Sequence, residues 1–465
     1  MTNNGGVHVV VLAAGQGKRM KSSTPKVLHS VAGQPMIEHV LRTAGAVSPE
    51  TITLIVGHQG EVVQRHLGRN PVVRFVGQEP QFGTAHALQQ AEPVLAGRKG
   101  TVVLLSGDVP LLSSATLQRL LHTHTAAAAA ATVVTAIVER PYGYGRIVRT
   151  AGRIARIVEE RDASPTERQI HEINSGIYAF DLDPLFDALR TIAARNAQGE
   201  FYLTDLIAIY RRRKRPVETL IVEHPEEIRG VNSRSELAEL SAIMRQKKNE
   251  ELMAAGVTLV DPATTYIDPD VEIGPDTVIH PGAIIQGQTR IGAACEIHGY
   301  VRIVDSEIAD RVTINNFCLI AGARVADGAA IGPFAHLRPE TVVGHAAKVG
   351  NFVELKKTTL GDGAKANHLS YLGDATIGAR VNVGAGTITC NYDGEKKHQT
   401  VIDEGAFIGS DTQLIAPVRV GKGAYVAAGS SITGDVPAGA LGIARGRQSN
   451  VEGWVERKKK SQPKT

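Results

Sequence analysis

The chain has 465 residues, enough for two or three domains with full cores. Its 51 Lys plus Arg against 47 Asp plus Glu leave a net charge of +4, too small to point to nucleic acid, and no apolar run reaches the roughly 18 residues of a membrane span. Three widely spaced cysteines, Cys295, Cys318 and Cys390, fit neither a disulfide framework nor a zinc motif and suit a reducing cytoplasm.

The first apolar run, "VHVVVLAAG", reads as a buried strand rather than a secretory core, because Gly15 and a basic turn cut it short. Further Val/Ile/Leu runs at 53–56, 72–76, 102–105 and 132–138 predict strands like the one at 9–12. Stretches 36–46, 58–67 and 114–123 predict the helices between them. Apolar strands alternating with helices predict an α/β domain over 1–234 with a parallel, Rossmann-like sheet, whose ligands sit at the carboxyl ends of the strands.

The loop at such an end, "LAAGQGKRM", is neither of the familiar phosphate loops. A Walker A motif fails because Arg19 follows Gly17-Lys18 where Ser or Thr is needed, and Leu12 stands where its first glycine belongs. A dinucleotide fingerprint fails at Met20. Its glycines nevertheless permit close backbone approach to a nucleotide, and Arg19 and Lys26 can neutralise a triphosphate and its departing pyrophosphate. In "LLSGDVPLL" an apolar strand ends in Ser106-Gly107-Asp108, where a carboxylate can hold Mg²⁺ against phosphate oxygens.

Residues 235–255 contain no Pro and no Gly and space Leu237, Leu240, Ile243 and Met244 at helical intervals, which predicts a linking helix. From 256 to 465 the pattern changes. Ile267, Ile273, Ile279, Ile285, Ile291, Ile297 and Ile303 recur every six residues, and the step resumes at Ile308, Ile331 and Ile402. This is the hexapeptide signature of a parallel β-helix with inward aliphatic side chains. The 48 glycines and the 4% aromatic content agree with a repetitive core.

Register places Arg338 and Lys356, each following an inward leucine eighteen residues apart, on adjacent coils. Stacked like charges are unfavourable unless an anion such as a phosphate joins them, although both can also splay into solvent. One coil later, "ANHLSYLGDA" carries His368 and Tyr371, and a histidine with a near-neutral pKa suits deprotonation of an amine before acyl transfer. Glu354, stacked near Tyr371 by the same counting, is a candidate support for that base. The hexads break at "TCNYDGEKKHQT", which predicts a loop leaving the helical wall.

"LAAGQGKRM" with "TPKVLHSVAGQPMIEHV" resembles the amino-terminal signature of sugar-nucleotide pyrophosphorylases, and the hexads resemble those of hexapeptide acyltransferases, which are left-handed β-helices that form trimers. With all motifs in order, the chain resembles the bacterial bifunctional N-acetylglucosamine-1-phosphate uridyltransferases/glucosamine-1-phosphate N-acetyltransferases. That resemblance implies that Leu12, Ala13, Ala14 and Gly15 line the uridine, and that Gln78, Gly83 and Thr84 recognise the uracil. Asp108 and Asn232 would bind Mg²⁺, and Gly145, Glu159 and Asn174 would hold the sugar. Ser106 stands where many members carry Tyr, beside Gly107 at the nucleotide.

In the repeat domain the resemblance implies that Arg338, Lys356, Tyr371 and Asn382 bind glucosamine 1-phosphate, with His368 the catalytic base. It also implies that Ala385, Asn391, Tyr392, Ser410, Ala428 and Arg445 contact acetyl-CoA. UTP and acetyl-CoA would be co-substrates, the chain a cytoplasmic homotrimer without membrane insertion, and its product a precursor for the bacterial envelope. Two other readings remain open at this point: a monofunctional nucleotidyltransferase with a regulatory β-helix, and a non-catalytic assembly subunit.

Overall fold

The computed structural model describes residues 5–68 and 72–461. The chain divides into two compact units, Met1–Met244 and Arg245–Thr465.

The first unit is built on a mixed sheet. Its strands run in the order Val217–Ile221, Ala131–Ile137, Glu172–Asp181, Gly100–Ser106, Gly6–Ala13, Thr51–Val56 and Val73–Gly77, with Arg146–Thr150 and Arg153–Val158 as an attached hairpin. Because strand side chains alternate between faces, Val9 and Val11 join one core with Ile37, Val40 and Leu120, while Val10 joins the other with Leu88, Leu185 and Leu206. Burial on both faces explains the near-continuous apolar runs.

The expected all-parallel sheet needs correction. Strand Glu172–Asp181 pairs antiparallel with both Gly100–Ser106 and Ala131–Ile137. Its sequence "EINSGIYAFD" is broken by polar residues, so it gave no clean apolar signal. The ladder shifts register between Asn174 and Tyr178, where Gly176 adopts φ +78°. Such bulges bend a strand and re-aim its side chains. Elsewhere the predicted elements move by a few residues: the helix expected from 58 runs Gly60–Leu67, and the one expected to end at 123 continues as Ser114–Ala126.

Helix Arg234–Ala254 covers most of the stretch predicted as a linker. It starts in a capping box: the Ser233 hydroxyl accepts from Glu236 N–H at 3.3 Å, and the Glu236 carboxylate accepts from Ser233 N–H at 3.1 Å.

The second unit is a left-handed parallel β-helix. Its short strands stack into three sheets of eleven, ten and nine strands, successive strands of a sheet being parallel and three apart in the chain except at the last pair, Tyr425–Val426 with Leu441–Gly442. Every hexad residue from Ile267 through Ile303 is buried, and all belong to one continuous aliphatic core. Each such side chain contributes about 1.5–3 kcal/mol of transfer free energy, so the repeat itself supplies the stability of the unit. Cys295 and Cys318 are buried in the same core as free thiols, and burial pushes the Cys318 thiol up to about 11.

Candidate active sites

In the first unit, strand Gly6–Ala13 delivers its last residues to the floor of a cleft of about 340 Å³. The cleft is lined by Leu12, Ala13, Ala14, Gly15, Lys26, Gln78, Gly83, Thr84, Ser106 and Asp108, all predicted from sequence. Gln81 and Glu200 also line it and were missed, since isolated polar loop residues carry no periodic signal. The Gln81 amide donates to the Ala14 carbonyl at 2.5 Å, fixing the loop.

The loop conformation depends on Gly17. Its φ is +59°, and a Cβ there would lie 2.8 Å from the Lys26 Cβ. Lys26 thereby packs under the glycine turn with its ammonium in the cleft. That ammonium donates to the Asp108 carboxylate and, at 2.7 Å, to Asn232 Oδ1. Asn232 reaches this point because Val231 N–H donates to the Asp108 carbonyl at 3.0 Å and the capping box orders the turn that follows. Two hard oxygen donors thus converge on one cationic head, a donor set that fits Mg²⁺. Gly107 N–H donates to the Leu12 carbonyl at 2.8 Å, locking the two strand ends together. Arg19 is exposed on the 3₁₀ turn Lys18–Met20 and does not line the cleft.

Gln78 is buried, and its amide donates to the Gly83 carbonyl at 3.0 Å. Gly83, at φ +112°, starts helix Thr84–Gln89, and the Thr84 hydroxyl accepts from Leu203 N–H at 3.2 Å. A second group gathers around the bulge. Asn174 N–H donates to the Gly145 carbonyl at 2.9 Å, and Asn174 Oδ1 accepts from the Tyr178 hydroxyl at 2.9 Å. A Cβ on Gly145 would lie 3.5 Å from both Asn174 Cβ and Glu159 Oε2. Burial raises the Glu159 carboxyl above its ordinary range, partly offset by a hydrogen bond from Thr204 at 3.1 Å.

In the β-helix, Leu337 pairs with Leu355, so Arg338 and Lys356 do lie on adjacent coils. Each already has a carboxylate: Arg338 bonds Glu354 at 2.8 Å, and Lys356 bonds Asp374 at 3.3 Å. The expected cation stack is therefore part of a charge network, and its residual positive character comes from a third cation. Lys397, from the inserted loop, is held below its ordinary pKa by the ammonium of Lys356 beside it. Glu354 stands in register with Tyr371, as counted, but its side chain serves Arg338 rather than His368.

His368 is exposed, and Asn351, its register partner on the previous coil, holds it. The 2.6 Å bond to Asn351 Oδ1 is made by Nδ1–H, which leaves Nε2 as the basic nitrogen facing outward. Asn351 was missed although the coil register could have found it. Asp374, also missed, joins two predicted residues, because it accepts from both Lys356 and Asn391. Tyr371 packs its hydroxyl over Gly373, where a Cβ would lie 2.9 Å from Asn391 Nδ2.

Asn382 sits on the strand following that of His368. The loop leaves the wall after Cys390, and within it the Tyr392 hydroxyl donates to the Gly394 carbonyl. Asp393 caps the loop by accepting from Glu395 and Lys396 N–H groups, which with the His398 bond lower its carboxyl pKa. Further along, Ala385, Ser410 and Ala428 follow the paired residues Val383, Ile408 and Val426 by two positions each and form one column. Arg445 donates to the Ala428 carbonyl at 3.0 Å and closes that column with an exposed guanidinium.

Residues 9–200 match the model of the MobA-like NTP transferase domain, and residues 264–351 match that of the GMPPB C-terminal domain. The chain is 49% identical over 451 residues to the bifunctional protein GlmU of Trichlorobacter lovleyi, covering 97% of this chain and 98% of that one. Against the protein of the same name from Pelobacter propionicus it is 50% identical over 455 residues, with 98% and 99% covered. Against that of an Exiguobacterium species it is 51% identical over 449 residues, with 96% and 99% covered. Matches of this depth run through both units, and the chain belongs to the family of bifunctional GlmU proteins.

Proposed function

We propose that the two activities of this bifunctional enzyme, acetyl transfer to glucosamine 1-phosphate and uridylyl transfer to N-acetylglucosamine 1-phosphate, are divided between its two units. The observation that carries this reading is that each unit has its own chemistry-bearing cluster, Lys26 with Asp108 and Asn232 in one and His368 with Asn351 in the other.

In the β-helix, Arg338, Lys356 and Lys397 receive the phosphate of glucosamine 1-phosphate, with Tyr371 and Asn382 along the sugar. His368 Nε2 takes a proton from the substrate ammonium, while the Asn351 bond fixes the tautomer. The freed amine attacks the thioester carbonyl of acetyl-CoA to form the C–N bond, the C–S bond breaks, the CoA sulfur leaves with the proton returned by the imidazolium, and the second proton lost from nitrogen as the amide forms passes to solvent. Ala385, Ser410, Ala428 and Arg445 form the track for the coenzyme, and Asn391 and Tyr392 flank the acetyl group.

In the α/β unit, UTP lies in the cleft with its base at Gln78, Gly83 and Thr84 and its ribose over residues 12–15. Gly145, Glu159 and Asn174 hold the acetylated sugar. Its phosphate oxygen attacks the α-phosphorus, a P–O bond forms to the sugar phosphate, and the bond to pyrophosphate breaks. Lys26 stabilises the charge that gathers on the phosphates, and Arg19 meets the departing pyrophosphate. Asp108 and Asn232 would hold Mg²⁺, which when bound supplies further charge neutralisation at the phosphate oxygens.

The enzyme works as a homotrimer in the cytoplasm. A column of exposed aromatic rings on the β-helix, Tyr300, Phe317, Phe334 and Phe352 at centroid spacings of 5.5, 5.0 and 5.1 Å, supports burial against another copy. The test is a pair of assays on two variants. Asp108→Ala should stop pyrophosphate release and spare CoA release, and His368→Ala should do the reverse. Loss of both activities in either folded variant would sink the division of labour.

A further inference from the structure

Among the described residues, one cluster of metal-ligating side chains lies outside both candidate active sites. Val278 pairs with Glu296 and Ile279 with Ile297 on consecutive coils, which places His280 beside His298. Their rings stack with centroids 4.8 Å apart and planes 20° from parallel. Alternation along the strand turns Ile297 into the core and sends Glu296 and His298 out of the same face. The Glu296 carboxylate then lies 3.6 Å from Nε2 of His280 and 3.6 Å from Nε2 of His298. All three donor atoms fall within 4.8 Å of one another.

We propose that His280, Glu296 and His298 form a binding site for one divalent transition-metal ion of the zinc class. A tetrahedral ion with bonds of about 2.0–2.2 Å holds its donors about 3.3–3.5 Å apart, close to the 3.6 Å between the Glu296 carboxylate and each histidine Nε2. Two imidazoles and one carboxylate select Zn²⁺, Co²⁺ or Ni²⁺ over Mg²⁺, which prefers oxygen donors alone. His280 Nε2 is itself buried with no hydrogen-bond partner, a donor lone pair left without an acceptor of its own. The side chains are 31%, 52% and 27% exposed for His280, Glu296 and His298, so water can complete the coordination.

The constellation is confined to two coils. The next residue in the histidine column is Asn315, whose amide donates to the Ile331 carbonyl at 3.2 Å, and the place of Glu296 on the coil before is taken by Val278. Since the ligands come from two successive coils, a bound ion staples one coil to the next. It therefore stabilises the β-helix by mass action, without entering either reaction.

The experiment uses the full chain without a histidine tag, stripped with chelator and titrated with Co²⁺ or Zn²⁺ alone. The expected result is a visible Co²⁺ ligand-field band that one equivalent of Zn²⁺ abolishes, and a melting temperature that Zn²⁺ raises. His280→Gln/His298→Gln should lose both signals, and Glu296→Gln should weaken Co²⁺ binding roughly tenfold or more. Both variants should release pyrophosphate and CoA at the wild-type rates, which shows that they are folded. Equal Co²⁺ binding by the wild type and the double variant would overturn the proposal, as would a band that disappears in Asp108→Ala and persists in His280→Gln/His298→Gln.

Discussion

The two units bring their reactive groups together by opposite means. In the α/β unit Lys26 meets Asp108 and Asn232 across 82 and 206 residues of sequence, so only the finished sheet and its capped helix assemble the cluster. In the β-helix the contacts Arg338–Glu354, Lys356–Asp374 and His368–Asn351 span 16, 18 and 17 residues, the length of one coil. A site of the first kind depends on tertiary topology, whereas a site of the second kind is set by register alone. Substitutions at the two should therefore separate the activities and fail in different ways.

The largest separation is expected from the base. His368→Ala should lower acetyl transfer by about 10²–10⁴-fold while uridylyl transfer, followed as pyrophosphate release, keeps its wild-type rate. Asp108→Asn should do the converse, lowering uridylyl transfer by about 10²–10³-fold because the charge-stabilising cluster loses its carboxylate. Equal loss of both activities in either variant would erase the contrast between the units.

The units also part in acid. Burial lowers His124 to about 4, and its ring accepts or donates only toward Thr132 at 3.0 Å. The unfolded chain binds this proton at pH 6.5 and the folded one does not, so stability is complete above 6.5 and is lost as pH falls toward 4. The α/β unit should lose on the order of 3 kcal/mol over that window, visible in calorimetry as an early transition moving to lower temperature. His124→Gln should flatten the slope, and a slope that the variant leaves unchanged would assign the acid sensitivity elsewhere. The smallest effect is at Asn351: Asn351→Leu should lower acetyl transfer about tenfold through kcat, with KM for glucosamine 1-phosphate unchanged. A change in KM alone would mean that Asn351 orients the substrate instead of the base.

The same contrast explains what could be read from sequence. Ile267 through Ile303 announce the β-helix because a period of six leaves the inward positions unmistakable, and coil counting places Arg338 beside Lys356 and Glu354 beside Tyr371. Counting from the coil that carries His368 would also have found Asn351, since the five-residue steps nearby shorten the repeat without breaking it. In the α/β unit the glycine loop and Asp108 were legible as motifs at strand ends. Gln81, Glu200 and the antiparallel strand Glu172–Asp181 were not, because they act through contacts that no local pattern encodes. Asp374 and the pairing of Glu354 with Arg338 escaped for a related reason, since a charged residue on a β-helix surface looks the same whether it meets water or a partner.

The central claim is that the chain performs two successive reactions at two independent sites. It is tested most directly by supplying His368→Ala with UTP and either glucosamine 1-phosphate plus acetyl-CoA or N-acetylglucosamine 1-phosphate, and measuring the UDP-sugar formed. Synthesis should stall from the unacetylated sugar and return to the wild-type rate from the acetylated one. Wild-type synthesis from glucosamine 1-phosphate, or failure to recover with N-acetylglucosamine 1-phosphate, would contradict the account.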